Sequence, residues 1–223
     1  MSATPPVAFR QTPDGVVMVA SAGGPLGGDE LRLDIVVGAG ATLQVCTAAA
    51  TIAQPALPAA PSHHYVNVRV AAGGSLVWSP EPLIVAAGAH HVMTLAIDLA
   101  ADARIDWREH VVLGRHDEPA GTLTTRWNVV RGTAPLLRQE VTVGPEGGAG
   151  WNGPAVLGGY RVLTNHLVVG TIAQPGTWTS DDAEGAVLSL AHDSYLESVA
   201  ARTSRAALAG PSATIEPSLA TRA

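Results

Sequence analysis

The stretch "GGPLGGDELRLDIVVG" (Gly23–Gly38) admits two readings that lead to different proteins. Glycines at this density let a backbone approach an anion closely and adopt positive φ, as phosphate-binding loops do. Such loops run from a strand into a helix, whose N-terminus supplies the positive end of a dipole. Here the residues after Asp29 alternate, with Leu31, Leu33 and Ile35 on one side and Arg32 and Asp34 on the other. That period of two belongs to a half-buried strand. All thirteen basic residues of the chain are arginine, so no lysine is available to a phosphate loop. The glycines therefore turn the chain between strands, with Asp29 as a turn-stabilising residue, and no nucleotide site is expected.

The same pattern continues in both directions. "GVVMVAS" (Gly15–Ser21) precedes it and "TLQVCTA" (Thr42–Ala48) follows. "HYVNVRV" (His64–Val70) alternates strictly, placing Tyr65, Asn67 and Arg69 opposite Val66, Val68 and Val70. Then come "SLVWS", "LIVAA", "HVMTLAIDL", "RIDWREHVVL", "TLTTRWNVVR", "PLLRQEVTV", "YRVLTNHLVVGTIA" and "AVLSLAH", separated by turns such as "AAGGS" and "GPEGGAGWNGP". About a dozen short strands at this spacing predict a sandwich, a barrel or a stacked β-helical sheet rather than βαβ units. One helix is expected, capped by Ser194 and running through "YLESVAARTSRAAL" to a stop at Gly210 and Pro211. "TIAQP" occurs twice, at Thr51–Pro55 and Thr171–Pro175, but the flanks differ and the match reads as chance in a biased composition. The organisation that follows is a flexible N-terminus over 1–12, a single β-rich domain over 13–210 and a disordered tail over 211–223.

Composition narrows the function. With 47% apolar and 14% charged residues among 223, the chain buries a substantial core. A formal charge of -6 argues against binding nucleic acid or an anionic membrane surface. The single cysteine, Cys46, makes no internal disulfide and suits a reducing compartment. "MSATPPVAFRQ" has neither a charged start nor an apolar core, so no secretory signal and a cytoplasmic location are expected. The five tryptophans, Trp78, Trp107, Trp127, Trp151 and Trp178, are spread one per strand or loop, which favours packing and interface roles over a carbohydrate platform.

Two adjacent histidine pairs, His63-His64 and His90-His91, raise the question of a metal. Neighbours on a strand point to opposite faces, so at most one of each pair faces inward. His110 has no histidine, cysteine or carboxylate two residues away, and Cys46 stands alone; a tight permanent metal site is not expected. The alternative is a β-sandwich or cupin-like metalloenzyme built on His63, His64, His90 or His91. The segment 102–118 is dense in charge, holding Asp102, Asp106, Glu109, His116, Asp117 and Glu118. As a strand, residues 104–112 place Asp106, Arg108 and His110 on one face and Trp107, Glu109 and Val111 on the other. Glu109 is then a carboxylate on an apolar side and needs a partner when buried. Arg115 in "LGR" is one option, giving a structural ion pair; a hydrated passage is the other. There is no Gly-x-Ser-x-Gly elbow and no base beside Cys46, so no catalytic residue is expected.

Three blocks carry a resemblance. "GGPLGGDELRLDIVVGAGATLQVCTAAAT", "LVWSPEPLIVAAGA" and "EHVVLGRHDEPAGTL" resemble, in order and spacing, signature blocks of the urease accessory protein UreD family, called UreH in some bacteria. Ala48 and Ile52 stand where that family usually has glutamine and lysine. The resemblance implies an all-β fold of stacked, helically wound sheets with one or two short α-helices near the C-terminus. It also implies a non-enzymatic scaffold that binds apo-urease subunits and UreF, reaches UreG indirectly through UreF, and dimerises, if at all, within that accessory complex. Nickel delivery through an internal passage would need no permanently bound cofactor, only transient contact with Ni2+, for which His110 and His116 are the weak candidates. Partner-binding or passage-lining roles fall on Asp29, Glu81, Asp106, Glu109, Arg115 and Glu118, and structural turns on Gly24, Gly28, Gly40, Gly114 and Gly121.

Overall fold

The computed structural model describes residues 1–191 and 193–209; the stretch 211–223, expected to be a disordered tail, lies outside the described residues. The alternating runs form strands that wind into a coil. β3 (Glu30–Val37), β6 (Ser62–Val70), β9 (His90–Leu99) and β11 (Thr122–Arg131) lie side by side and parallel. Between them the chain crosses to an opposite sheet through β4 (Thr42–Thr47), β5 (Thr51–Ala53), β7 (Ser75–Ser79), β8 (Leu83–Val85) and β10 (Arg104–Leu113). There β4, β7 and β10 are again parallel neighbours, as are β5, β8 and β10. The result is a β-solenoid of about four turns, the stacked, helically wound all-β architecture that the family resemblance implied.

Both ends depart from pure winding. A hairpin of β1 (Val7–Thr12) and β2 (Gly15–Ala20) adds to the edge of β4, so half of the stretch read as a flexible N-terminus is paired strand. β12 (Ala134–Val143) turns back antiparallel on β11, and β13 (Val162–Val169) runs antiparallel to β10. β14 (Gly176–Thr179), β15 (Ala183–Ser189) and β16 (Ser194–Ala201) complete a main sheet of eleven strands facing a second sheet of five. β16 corrects the expected helix over 194–208. Its flanks pair with β13 and β15, and seven of its eight residues are buried, so its core contacts override the helix propensity of an alanine-rich stretch. Among the described residues only α1 (Ser204–Ala207) is helical, with Thr203 as its N-cap accepting from the Ala206 amide at 3.2 Å.

The core lies between the sheets. Val66, Leu95, Ile97 and Trp127 from the second sheet meet Leu76, Trp78, Ile105 and Trp107 from the main sheet. Trp78 and Trp107 are parallel-strand neighbours whose rings stack at 4.9 Å, and Trp127 is likewise buried, which places these three in packing roles. Among the described residues no helix is long and apolar enough to cross a membrane.

The opening glycine stretch is a turn, as read. Asp29 accepts a hydrogen bond from the Leu26 amide at 2.8 Å, and Gly28 has a φ of 88°, which a β-branched residue adopts only under strain. Gly24, Gly40 and Gly114 also have positive φ. Gly121 does not; there a Cβ would lie 2.3 Å from the Ala86 carbonyl oxygen, so its role is close packing. Gly28→Val is expected to cost about 1–3 kcal/mol, read as a lowered thermal midpoint. An unchanged midpoint would remove Gly28 from the structural turns.

Candidate functional site

The site begins with an interruption in the main sheet. β10 is unbroken over its ten residues, but its parallel partner is not: Arg104–Trp107 pair with β7 and Val111–Leu113 with β8. Between those strands Pro80 and Pro82 lack the N–H a ladder needs, and the chain detours. The edge of Arg108, Glu109 and His110 is left without a strand partner on that side. A cleft of about 400 Å³ occupies the gap, lined by Glu81, Arg108, Glu109, His110, Asn165, His166 and Glu197, with Ser204 and Leu208 from the α1 segment at its margin.

Strand parity sorts these residues as the sequence predicts for β10. Asp106, Arg108 and His110 face outward; Trp107, Glu109 and Val111 face the core. The register adds outward-facing His166 opposite Arg108 and Glu197 opposite His166. Asn165, opposite Glu109, faces inward. Because the detour opens the sheet wall, inward Glu109 and Asn165 line the same cleft as the outward groups.

Hydrogen bonds set the charge states. Asp106 Oδ1 accepts from His166 Nε2 at 2.9 Å and from Arg108 Nε at 3.4 Å. Burial alone would raise the Asp106 pKa, but the His166 bond and charge, with Arg108, outweigh it and hold the carboxyl below its usual range. Glu109 is the opposite case. Thr125 Oγ1 donates to its Oε1 at 3.3 Å and Asn165 Nδ2 to its Oε2 at 3.1 Å, while Trp127 Nε1 donates to Thr125. These neutral donors do not offset burial, which pushes the Glu109 carboxyl up. Burial also lowers His110, against the pull of Glu81, and its Nε2 lies 3.1 Å from Ser204 Oγ.

Glu109 is thus not paired with Arg115. Arg115 lies beyond the end of β10, six residues on, and at about 3.3 Å per residue that is too far along the strand. Arg115 instead grips Glu118 through Nε and Nη2 at 2.9 and 2.7 Å, bonds that hold Glu118 down at about 2. Both are in the loop after β10, which Arg161 clamps by donating to the carbonyls of Leu113, Arg115 and Glu118. His116 is exposed, 3.2 Å from Asp117, and Asp29 stays in its turn. Of the expected site residues, the fold brings together Glu81, Asp106, Glu109 and His110.

The histidine pairs divide as parity requires. His63 and His90 face outward; His64 and His91 face the interior, their ring centroids 6.4 Å apart. His91 Nδ1 lies 2.9 Å from Ser62 Oγ. Burial lowers His64 to about 4 and His91 to about 3, the latter also by the neighbouring imidazoles. Among the described residues, no three of His, Cys, Asp and Glu gather to hold a metal ion.

His64, Met93 and Thr125 are in-register partners on adjacent strands, and Thr125 donates to Glu109. A row of non-aliphatic side chains therefore crosses the inner face from the histidines to the gap in the wall. Sequence reasoning missed Thr125, Asn165, His166 and Glu197. Asn165 and His166 left a signal, as adjacent polar residues inside the apolar run "VLTNHLVV"; Glu197 was misplaced with the helix.

A family model described as UreD urease accessory protein matches residues 5–213. A urease accessory protein UreD of Streptomyces avermitilis is 44% identical over 169 residues, covering 74% of this chain and 67% of the relative. Those of a Parafrankia species and of Frankia alni are 45% and 44% identical, covering 70% and 69% of this chain. The matched stretch is 59% and 57% of the length of these two relatives, less than two thirds.

Proposed function

The chain belongs to the UreD urease accessory protein family, and from that premise we propose that it is a non-catalytic, cytoplasmic scaffold for urease maturation. It binds apo-urease and UreF, reaches UreG through UreF, and supports nickel delivery into the urease active site. The observation that carries the nickel part is the inner row from His64 and His91 through Met93 and Thr125 to Glu109 at the gap in the sheet. A cargo ion that must move on needs separate imidazole and oxygen donors along a route, since a closed shell would retain it. Neutral imidazoles at His64 and His91 each carry one unprotonated ring nitrogen, the kind of donor such contacts require.

Co-expression with urease and its accessory proteins tests the reading. Recovery of the chain with urease subunits is expected. Glu109→Ala is expected to lower urease activity and nickel content severalfold while urease protein persists; Glu109→Gln, which keeps the shape, separates charge from packing. Full nickel loading in both variants would remove Glu109 from the route.

A further inference from the structure

The outer half of the cleft contains a buried carboxylate, Glu197, that makes no ion pair among the described residues. Glu197 is 6% exposed, and among the described residues its buried Oε1 has no hydrogen-bond partner and the carboxylate no ion pair. The neighbouring acid, Asp106, is already engaged by His166 and Arg108. Glu81 stands at the lip, on the proline detour, close enough to act on His110. On the outer side the cleft is thus lined by Glu81 and Glu197 and by one guanidinium, Arg108, which already holds Asp106, and an unanswered buried carboxylate is costly until a cation reaches it.

We infer that this outer cleft is a socket for an arginine side chain presented by a protein partner. Its volume of about 400 Å³ exceeds what a bare ion needs and accommodates a guanidinium with its stem. The margins suit that stem: Pro80, Pro82 and Leu208, the last 53% exposed, are apolar. Guanidinium sheds water more readily than ammonium and forks onto a carboxylate, which favours arginine over lysine at a buried acid. An entering guanidinium neutralises the Glu197 carboxylate as a whole, through the oxygen that faces the cleft. The inference rests on the scaffold reading only in taking the arginine from a protein.

The test uses the full chain with N-acetyl-argininamide as probe and N-acetyl-citrullinamide as its uncharged counterpart, followed by NMR at the His110 ring and the Ala207 amide. Saturable shifts are expected with argininamide, with citrullinamide at least about tenfold weaker, and a loss of about tenfold in Glu197→Gln. Equal binding of the two probes, or no shift in the wild type, would overturn the socket; so would Glu197-dependent shifts with nickel or magnesium ion alone and none with argininamide. The wild-type comparison of probes does not depend on the variant folding. In co-expression, Glu197→Lys is expected to lower recovery with urease and its accessory proteins about tenfold; unchanged recovery would overturn the protein source. If the wild-type chain itself fails to co-purify, the scaffold reading and the protein-borne source both fall, whereas argininamide binding is read on the isolated chain.

Discussion

In a Glu109→Gln chain, acidification from about pH 7 to about pH 5 is expected to lower the unfolding free energy by about 3–4 kcal/mol, from the proton uptake of two buried imidazoles. His64 and His91 accept a proton in the fold only near pH 4 and pH 3, but near 6.5 once unfolded. Between those values the unfolded chain binds more protons, so stability falls as pH falls. His110, also lowered, adds to the loss. Glu109 works the other way. Its carboxyl is raised in the fold, so between its unfolded and folded values the folded chain binds more protons than the unfolded chain, and acidification through that window favours the fold. The wild type is therefore expected to lose less than Glu109→Gln over the same interval. Asp106, held below its usual range, contributes only at lower pH. Urea unfolding at the two pH values checks this; a Glu109→Gln chain with no pH dependence would show that His64 and His91 titrate as free imidazoles.

Trp107→Ala is the other large effect. The side chain is 2% exposed, stacked on Trp78 and packed among residues of both sheets. Truncation leaves a cavity between sheets that are tied by their own ladders and collapse only in part, so a loss of about 3–5 kcal/mol is expected. Trp107→Phe retains an aromatic face for Trp78 and should recover part of it. The measurement is the denaturant midpoint of each variant, and a Trp107→Ala loss under about 1 kcal/mol would place this ring outside the cooperative core.

The sequence was most legible where one strand face meets the core and the other meets solvent. β10 and β11 begin and end where the runs "RIDWREHVVL" and "TLTTRWNVVR" do. β16 was illegible for the converse reason: buried on both faces, it shows no alternation, and its alanines mimic a helix. The coil left no fixed sequence period: the turns differ in length, and although one column of equivalent positions is aliphatic throughout (Ile35, Val68, Ile97, Val129), another holds Leu31, His64, Met93 and Thr125. "TIAQP", the one visible repetition, falls on β5 in its first copy and between β13 and β14 in its second.

At the site, parity placed Glu109 on the inner face correctly but could not supply its partners. Those come from 16 and 56 residues away in sequence, from strands that only the winding brings near. Arg115, the cation named from sequence as one option, is instead held by Glu118. The adjacent histidines are the instructive contrast: the rule that only one of each pair can turn inward needs no tertiary knowledge, and the structure divides both pairs that way.

The parallel stacking of β4, β7 and β10 also graduates the molecule like a ruler. Each added loop of chain moves the next feature by one interstrand step, about 4.8 Å, without rotating its side chains to the other face. A homologue that gained or lost a whole loop between β4 and β10 would carry the proline-framed opening nearer to or farther from the amino-terminal hairpin by that increment. Its geometry would otherwise be intact, and the offset between docking ends could be retuned while the interior lining is preserved.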